Sequence, residues 1–184
     1  LRPFLFVDPT ANLLRESEDL TASIWNRSAG LTLTAVAGEP GRYKVWRFSA
    51  ADTDGQTTQH VGIAEGFRVC ISLAARSEAG TGIELLAGAA AAPHATASEW
   101  RTFSLNASCG EGGLAAGVRI PAGGVVEVKA LQICAQPTAG AYVPSGVNAG
   151  IYPNAHFATE ELALECLAPG LYEAEVVIVS RMTR

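Results

Sequence analysis

The chain has little charge, little lysine and few aromatic residues. Charged residues fill 17% of its 184 positions and aromatics 7%. Lys44 and Lys129 are the only lysines, and 18 acids against 13 lysines and arginines give a formal net charge of −5. That balance excludes the general basic surface that neutralises nucleic-acid phosphates. No apolar run reaches the roughly 20 residues that cross a bilayer, and the longest alanine stretch, Ala89 to Ala92, stops at Pro93. Leu1 to Val7 lack the basic start, long apolar centre and small-residue cleavage site of a signal peptide. The absent initiator Met leaves room for a removed upstream segment, so the compartment stays open. Catalytic signatures are scarce too. His60, His94 and His156 are far apart, and there is no His-Glu-x-x-His, Gly-x-Ser-x-Gly elbow or phosphate loop. Cys70, Cys109, Cys134 and Cys166 include no pair at zinc-knuckle or redox-motif spacing.

What remains is strand material. Hydrophobic residues make up 48% of the chain, too many for disorder and enough for one packed domain, although alanine dilutes the core they build. The periodicity is two. Phe67, Val69, Ile71, Leu73 and Ala75 alternate with Arg68, Cys70, Ser72, Ala74 and Arg76, the pattern of a strand with one buried face. Leu31 and Leu33 alternate with threonines, and Lys44, Trp46 and Phe48 with Tyr43, Val45 and Arg47. Trp100 to Leu105 and Val125 to Cys134 are further strands. Turns are marked at Glu39-Pro40-Gly41, Asp52 to Gly55, Gly110 to Gly113 and Pro121 to Gly124. Short strands with regular turn punctuation predict an all-β sandwich or jelly roll. Ser17 to Trp25 is the one helical candidate of note. The cysteines read as buried free thiols or as one or two disulfides, with Cys109, between Ser108 and Gly110, the expected exposed thiol.

The tail changes character after Pro144. Ser145 to Asn148 reads as a linker; Leu162, Leu164 and Cys166 then alternate with Glu161, Ala163 and Glu165. Past Pro169-Gly170, Tyr172, Ala174, Val176 and Ile178 form the second arm of a predicted β-hairpin. An isolated hairpin is marginal in water, so this one needs a partner. Phe4 to Val7 is the expected partner strand, with an intermolecular sheet as the alternative. The expected division is therefore a sandwich over 1–144, including the N-terminal strand, and a linker and hairpin over 145–184 that packs on the same domain.

Asn12 to Leu20, followed by Trp25 and Ser28, resembles the opening of jelly-roll domains of bacteriophage tail and tail-fibre proteins and of their prophage-derived bacterial relatives. Those domains are similar to carbohydrate-binding modules. Glu99 to Phe103 resembles the central Trp strand of that family, and Val125 to Gln136 with Ala141-Tyr142-Val143-Pro144 its closing strand. The likeness covers roughly 12–144, and Gly150 to Ala155 with the hairpin after it resembles an extension of some members. It implies a galactose-binding-like jelly roll acting as a non-catalytic binding or adhesion module. The implied partners are a glycan or cell-surface polysaccharide and other tail or surface-assembly subunits, with no nucleic acid and no membrane insertion. The implied location is a virion-like particle or the cell surface. A purely structural assembly domain is the competing reading, and a glycoside-active enzyme a third. The family's modules often hold a structural calcium near the first strand; Glu16, Glu18 and Asp19 supply acidity there, while Asp52 and Asp54 make a second acidic loop, and helix N-terminal charge or solvated loop acidity explains both clusters more simply.

A sugar site needs aromatic faces for C–H surfaces and planar polar groups for hydroxyls. Trp25, Tyr43, Trp46, Trp100, Tyr142 and Tyr152 are the aromatic candidates; the resemblance implies packing roles for Trp25 and Trp100, and alternation in phase with Phe48 assigns Trp46 to the core. Tyr43, Arg47, Arg68 and Gln132 are the expected ligand-binding residues if their strands share a concave sheet, the alternative being an ordinary solvated sheet face.

Overall fold

A computed structural model describes residues 3–37, 43–158, 165–168, 171–174 and 176–180, without the side chains of Leu167, Leu171 and Tyr172. The expected turn at Glu39-Pro40-Gly41, the hairpin turn Pro169-Gly170, and Leu162 and Leu164 lie outside the described residues. Among the described residues there are fifteen strands and no helix. They are β1 (Phe4–Val7), β2 (Asn26–Arg27), β3 (Leu31–Ala35), β4 (Trp46–Ala50), β5 (Gly55–Val61), β6 (Arg68–Arg76), β7 (Ile83–Ala87) and β8 (Ala90–His94). They continue with β9 (Arg101–Ser108), β10 (Leu114–Ile120), β11 (Val125–Cys134), β12 (Ile151–Phe157), β13 (Glu165–Ala168), β14 (Leu171–Glu173) and β15 (Ile178–Ser180).

The chain divides into two compact units, Asp8–Gly150 and Leu1–Val7 with Ile151–Arg184. The larger is a jelly-roll sandwich of two five-stranded antiparallel sheets, ordered β2-β5-β10-β7-β8 and β3-β4-β11-β6-β9. Its core comes from alternation. Val69, Ile71, Leu73 and Ala75 of β6, Trp46 and Phe48 of β4, and Leu114, Ala116, Val118 and Ile120 of β10 are all buried. Burying each large aliphatic or aromatic side chain contributes about 1.5–3 kcal/mol. β5 reaches the same end with polar residues: Thr57 and Gln59 point inward, and Gln59 bonds the backbone of Arg15 at both its amide atoms. Gly117 of β10 lies so near β5 that a Cβ there would stand 2.0 Å from the Thr57 carbonyl oxygen. Nothing larger than glycine fits.

One irregularity in β11 decides which side chains share a face. Its pairing with β6 shifts between Lys129 and Gln132, and Ala130 takes φ 55°. The extra residue is a β-bulge. It moves the inward set from Val126 and Val128 to Leu131 and Ile133, all fully buried, so both halves of the strand serve the core. Asn12 holds the strand past the bulge, donating to Leu131 O and accepting from Ile133 N–H.

The smaller unit holds a three-stranded sheet in the order β1-β12-β15 and the hairpin β13-β14. Phe4 to Val7 thus pairs with β12, and it groups with the C-terminal unit rather than with the sandwich, whose limits are Asp8 and Gly150.

Three expectations need correction. Ser17 to Trp25 is a succession of turns, not a helix, with Ala22 N–H bonded to Asp19 O and Trp25 N–H to Ala22 O. The Asp19 side chain accepts from Thr21 N–H and Oγ, local bonds that compete with helix formation, while Leu20 and Trp25 are buried. Cys109 is buried at 3% exposure, its N–H bonded to Phe67 O, whereas Cys166 is the exposed thiol; all four cysteines are free. Phe67, expected in the core, precedes β6 and is 40% exposed.

Candidate functional site

The outer face of the sheet β3-β4-β11-β6-β9 carries the clearest constellation. Register sets Arg47 of β4 opposite Glu127 of β11, and Glu127 opposite Arg76 of β6. These three alternate with Trp46, Phe48, Val126, Val128 and Ala75, which face the core, so the charged groups face outward. Arg47 donates Nε and Nη2 to Glu127 Oε1, at 3.2 and 2.6 Å; Arg76 donates Nε to Oε2 at 2.8 Å and brings Nη2 to 2.7 Å. Burial pushes the Glu127 carboxyl up, but the bonds and charges of Arg47 and Arg76 outweigh it and hold the pKa below the usual value.

Beside this trio stands Trp100, half-buried just before β9. The Arg76 guanidinium lies 4.6 Å from its ring centroid and the Lys129 ammonium 4.0 Å, both within cation–π range. The result is a continuous row, Arg47, Glu127, Arg76, Trp100 and Lys129. One end opens into a cavity of about 540 Å³ lined by Arg47, Ser49, Arg76, Ser77, Val125 and Glu127. Ser77 Oγ is turned away to Val125 O at 2.7 Å.

The four expected binding residues share this sheet or its border without converging. Arg47 is in the row. Arg68 is exposed at the far end of β6, opposite Ser108. Gln132 is buried, its amide donating to Ser72 Oγ and Gly140 O and accepting from Val143 N–H. Those bonds draw residues 140–143 over the middle of the face and fill the groove that Gln132 was expected to line. Cys70 and Cys134, directly opposed on β6 and β11, are buried beside it, and Cys134 Sγ donates to Thr138 O at 3.5 Å. Tyr43 makes an edge contact with Tyr142 at 4.6 Å between centroids. The Tyr142 hydroxyl bonds Glu18 and Ser17, and burial followed by the Glu18 bond raises its pKa. Tyr43 therefore belongs to a packed pair. Trp25 and Trp46 are buried, as the resemblance implies for the first and the alternation predicts for the second, with their indole N–H groups on Glu16 O and Glu18 O.

Glu127 and Lys129 are absent from the expected set although they alternate with Val126 and Val128. Their importance depends on which strands flank β11, and periodicity within one strand carries no such information.

Glu16, Glu18 and Asp19 do not fit a calcium site. Glu18 uses its two oxygens on Lys44 N–H and the Tyr142 hydroxyl, and Asp19 accepts from Thr21. Among the described residues no three His, Cys, Asp or Glu side chains are placed to hold a metal ion. A calcium ion wants several converging oxygens, whereas Glu18 spends its two on separate distant partners and Asp19 bonds within its own turn.

No protein-family model and no curated protein matches the sequence. Solved structures match the fold. The enzymatically active domain of bacteriophage CBA120 tailspike protein 4 is similar over 69% of this chain and 22% of its own, at 14% identity and a TM-score of 0.54. The CBM22-1 xylan-binding domain of Paenibacillus barcinonensis Xyn10C is similar over 73% of this chain and 98% of its own, at 14% identity and TM-score 0.53. TmCBM61, solved with β-1,4-galactotriose, is similar over 67% and 96%, at 15% identity and TM-score 0.52. The chain thus has the jelly-roll fold of carbohydrate-binding modules and spans less than a quarter of the tailspike chain.

Proposed function

We propose that this chain is a non-catalytic glycan-binding module of a phage-tail-like or cell-surface protein, and that the row from Arg47 to Lys129 is its binding face. The observation that carries this reading is the open cavity at the Arg47–Glu127–Arg76 end, on the outer face of a sheet in a fold shared with a xylan-binding domain and with a module solved with β-1,4-galactotriose. Planar charged groups held by mutual bonds, next to a half-exposed indole, are the kind of preorganised surface that sugars use. A catalytic reading needs two carboxyl groups with separated proton affinities across one cleft. Glu127, inside the row, is held ionised by two arginines and is a poor proton donor. A tail or surface-assembly partner rests on the sequence resemblance and on the tailspike likeness alone.

A glycan array probed with the labelled protein tests the reading. Saturable binding that drops on Arg47→Ala, with the circular dichroism spectrum unchanged, supports it. A blank array with folded protein overturns it and leaves the structural-assembly role, for which self-association in analytical ultracentrifugation is the corresponding observation.

A further inference from the structure

We infer that the ligand of this face is an anionic polysaccharide, one that carries carboxylate or sulfate groups; this rests on the glycan-binding reading and narrows it. Three observations converge on it.

Acceptor capacity is the first. A carboxylate has about four lone-pair sites. Glu127 accepts two N–H groups of Arg47 on Oε1 and the Nε–H of Arg76 on Oε2, with Arg76 Nη2 a further 2.7 Å ion-pair contact on Oε2. The carboxylate of the row is therefore largely spent on its arginines and has little acceptor capacity for a sugar hydroxyl. Neutral sugars present hydroxyls that both donate and accept, and their binding sites supply both kinds of partner. This row offers donors: the Arg47 guanidinium, 52% exposed, and the Lys129 ammonium. Carboxylate and sulfate oxygens only accept, so they match the free donors of this row.

The aromatic is the second. A sugar ring stacks on a bare aromatic face. Trp100 has two cations close over its ring, at 4.0 and 4.6 Å. Its evident role is to hold Lys129 and Arg76 in place.

Charge is the third. The whole chain is acidic, with a net charge of −5 and only two lysines, yet one of those two projects into this row. Among the described residues Lys129 has no carboxylate partner, so it is an uncompensated cation beside a neutralised one. Glu78, on the turn after β6, is the other carboxylate lining the cavity; it is exposed and lies at the end away from Lys129.

The probes are polygalacturonate, the same polymer fully methyl-esterified, dextran sulfate and plain dextran, compared by affinity electrophoresis and calorimetry at low and high salt. Polygalacturonate or dextran sulfate is expected to bind at least about tenfold more tightly than its uncharged counterpart, with affinity falling as salt rises. Which of the two binds identifies the acid. Lys129→Met is expected to weaken binding about threefold to tenfold, while Lys44→Met, which removes the same charge outside the row, leaves it unchanged. Equal loss in both variants means a bulk-charge effect and overturns the inference. Equal or tighter binding of the uncharged polymers overturns it as well but leaves the glycan-binding reading standing. Failure of charged and neutral glycans alike, there and on the array, removes both.

Discussion

Replacing Glu127 with glutamine probes the centre of the row with almost no change in shape. The carboxylate takes four N–H contacts, two on each oxygen. An amide keeps one oxygen, so one arginine stays bonded, while the other meets an NH2 group that donates where it must accept. Bonds to charged groups contribute about 1.5–3 kcal/mol when shielded from water, and exposed ion pairs about 1 kcal/mol or less. Arg47 is 52% exposed and recovers much of its loss by hydration, whereas Arg76 is 25% exposed and Glu127 12%. Loss of about 2 kcal/mol at pH 7 follows for Glu127→Gln. The pH dependence has a defined sign. The folded-state pKa of Glu127 is lowered, since its two arginines outweigh burial. Its contribution is therefore present above the unfolded value near 4.3 and is lost as pH falls through the lower folded value. Urea unfolding of both proteins at a series of pH values reads the difference directly. The gap between wild type and variant should start to narrow as pH falls past about 4.3 and close only below the lowered folded value. A variant within about 0.5 kcal/mol of wild type at neutral pH, or a gap that persists in acid, refutes the account of the row as a carboxylate held by two arginines.

Other expectations follow from the packing. Gly117→Ala would set a methyl group 2.0 Å from Thr57 O and 2.7 Å from Thr58 Cα, both backbone atoms of a paired strand, so a loss above about 3 kcal/mol is expected in thermal unfolding. Tyr142 has its pKa raised by burial and by its bond to Glu18, so its contribution is full below about pH 10 and is lost as pH rises through the higher folded value. Wild type should therefore lose stability in strong alkali more steeply than Tyr142→Phe. A thiol reagent should modify one cysteine of the native protein, Cys166, and reach the buried Cys70, Cys109 and Cys134 only on unfolding. Burial raises the Cys70 and Cys109 thiols and reinforces that protection.

The sandwich was legible wherever a strand has one apolar face. β6 follows its alternation, β11 does so only as far as Lys129, where the bulge resets its phase, and the alternation of Trp46 with Phe48 correctly predicts their burial. β5 was not legible, because Thr57 and Gln59 reach the core as polar residues, Gln59 bonded to the Arg15 backbone, and leave no apolar stripe. β10 was blurred by Gly117 and its alanines. Ser17 to Trp25 has apolar residues at helical spacing, but side-chain bonds from Asp19 favour turns. The site was half visible. Arg47 stands out as a cation on a polar strand face, yet its partners come from β11 and β6 through a register that one strand does not encode. Gln132 shares the outer face with Lys129 only because the bulge resets the phase, and it is covered because Gly140 and Val143 fold back onto it. Tyr43 is taken by Tyr142, a contact between residues 99 positions apart in sequence.

The most direct test of the binding face uses the three tryptophans. Trp25 and Trp46 are buried at 3% and 5% exposure, while Trp100 stands half-exposed in the row. In a 1H–15N spectrum their indole N–H groups give three separate signals, which can be followed while the tightest-binding glycan from the panel is added. Saturable movement of the Trp100 signal, with those of Trp25 and Trp46 still, is the predicted result. A Trp100 signal unmoved at saturation would contradict the assignment of this face as the binding site.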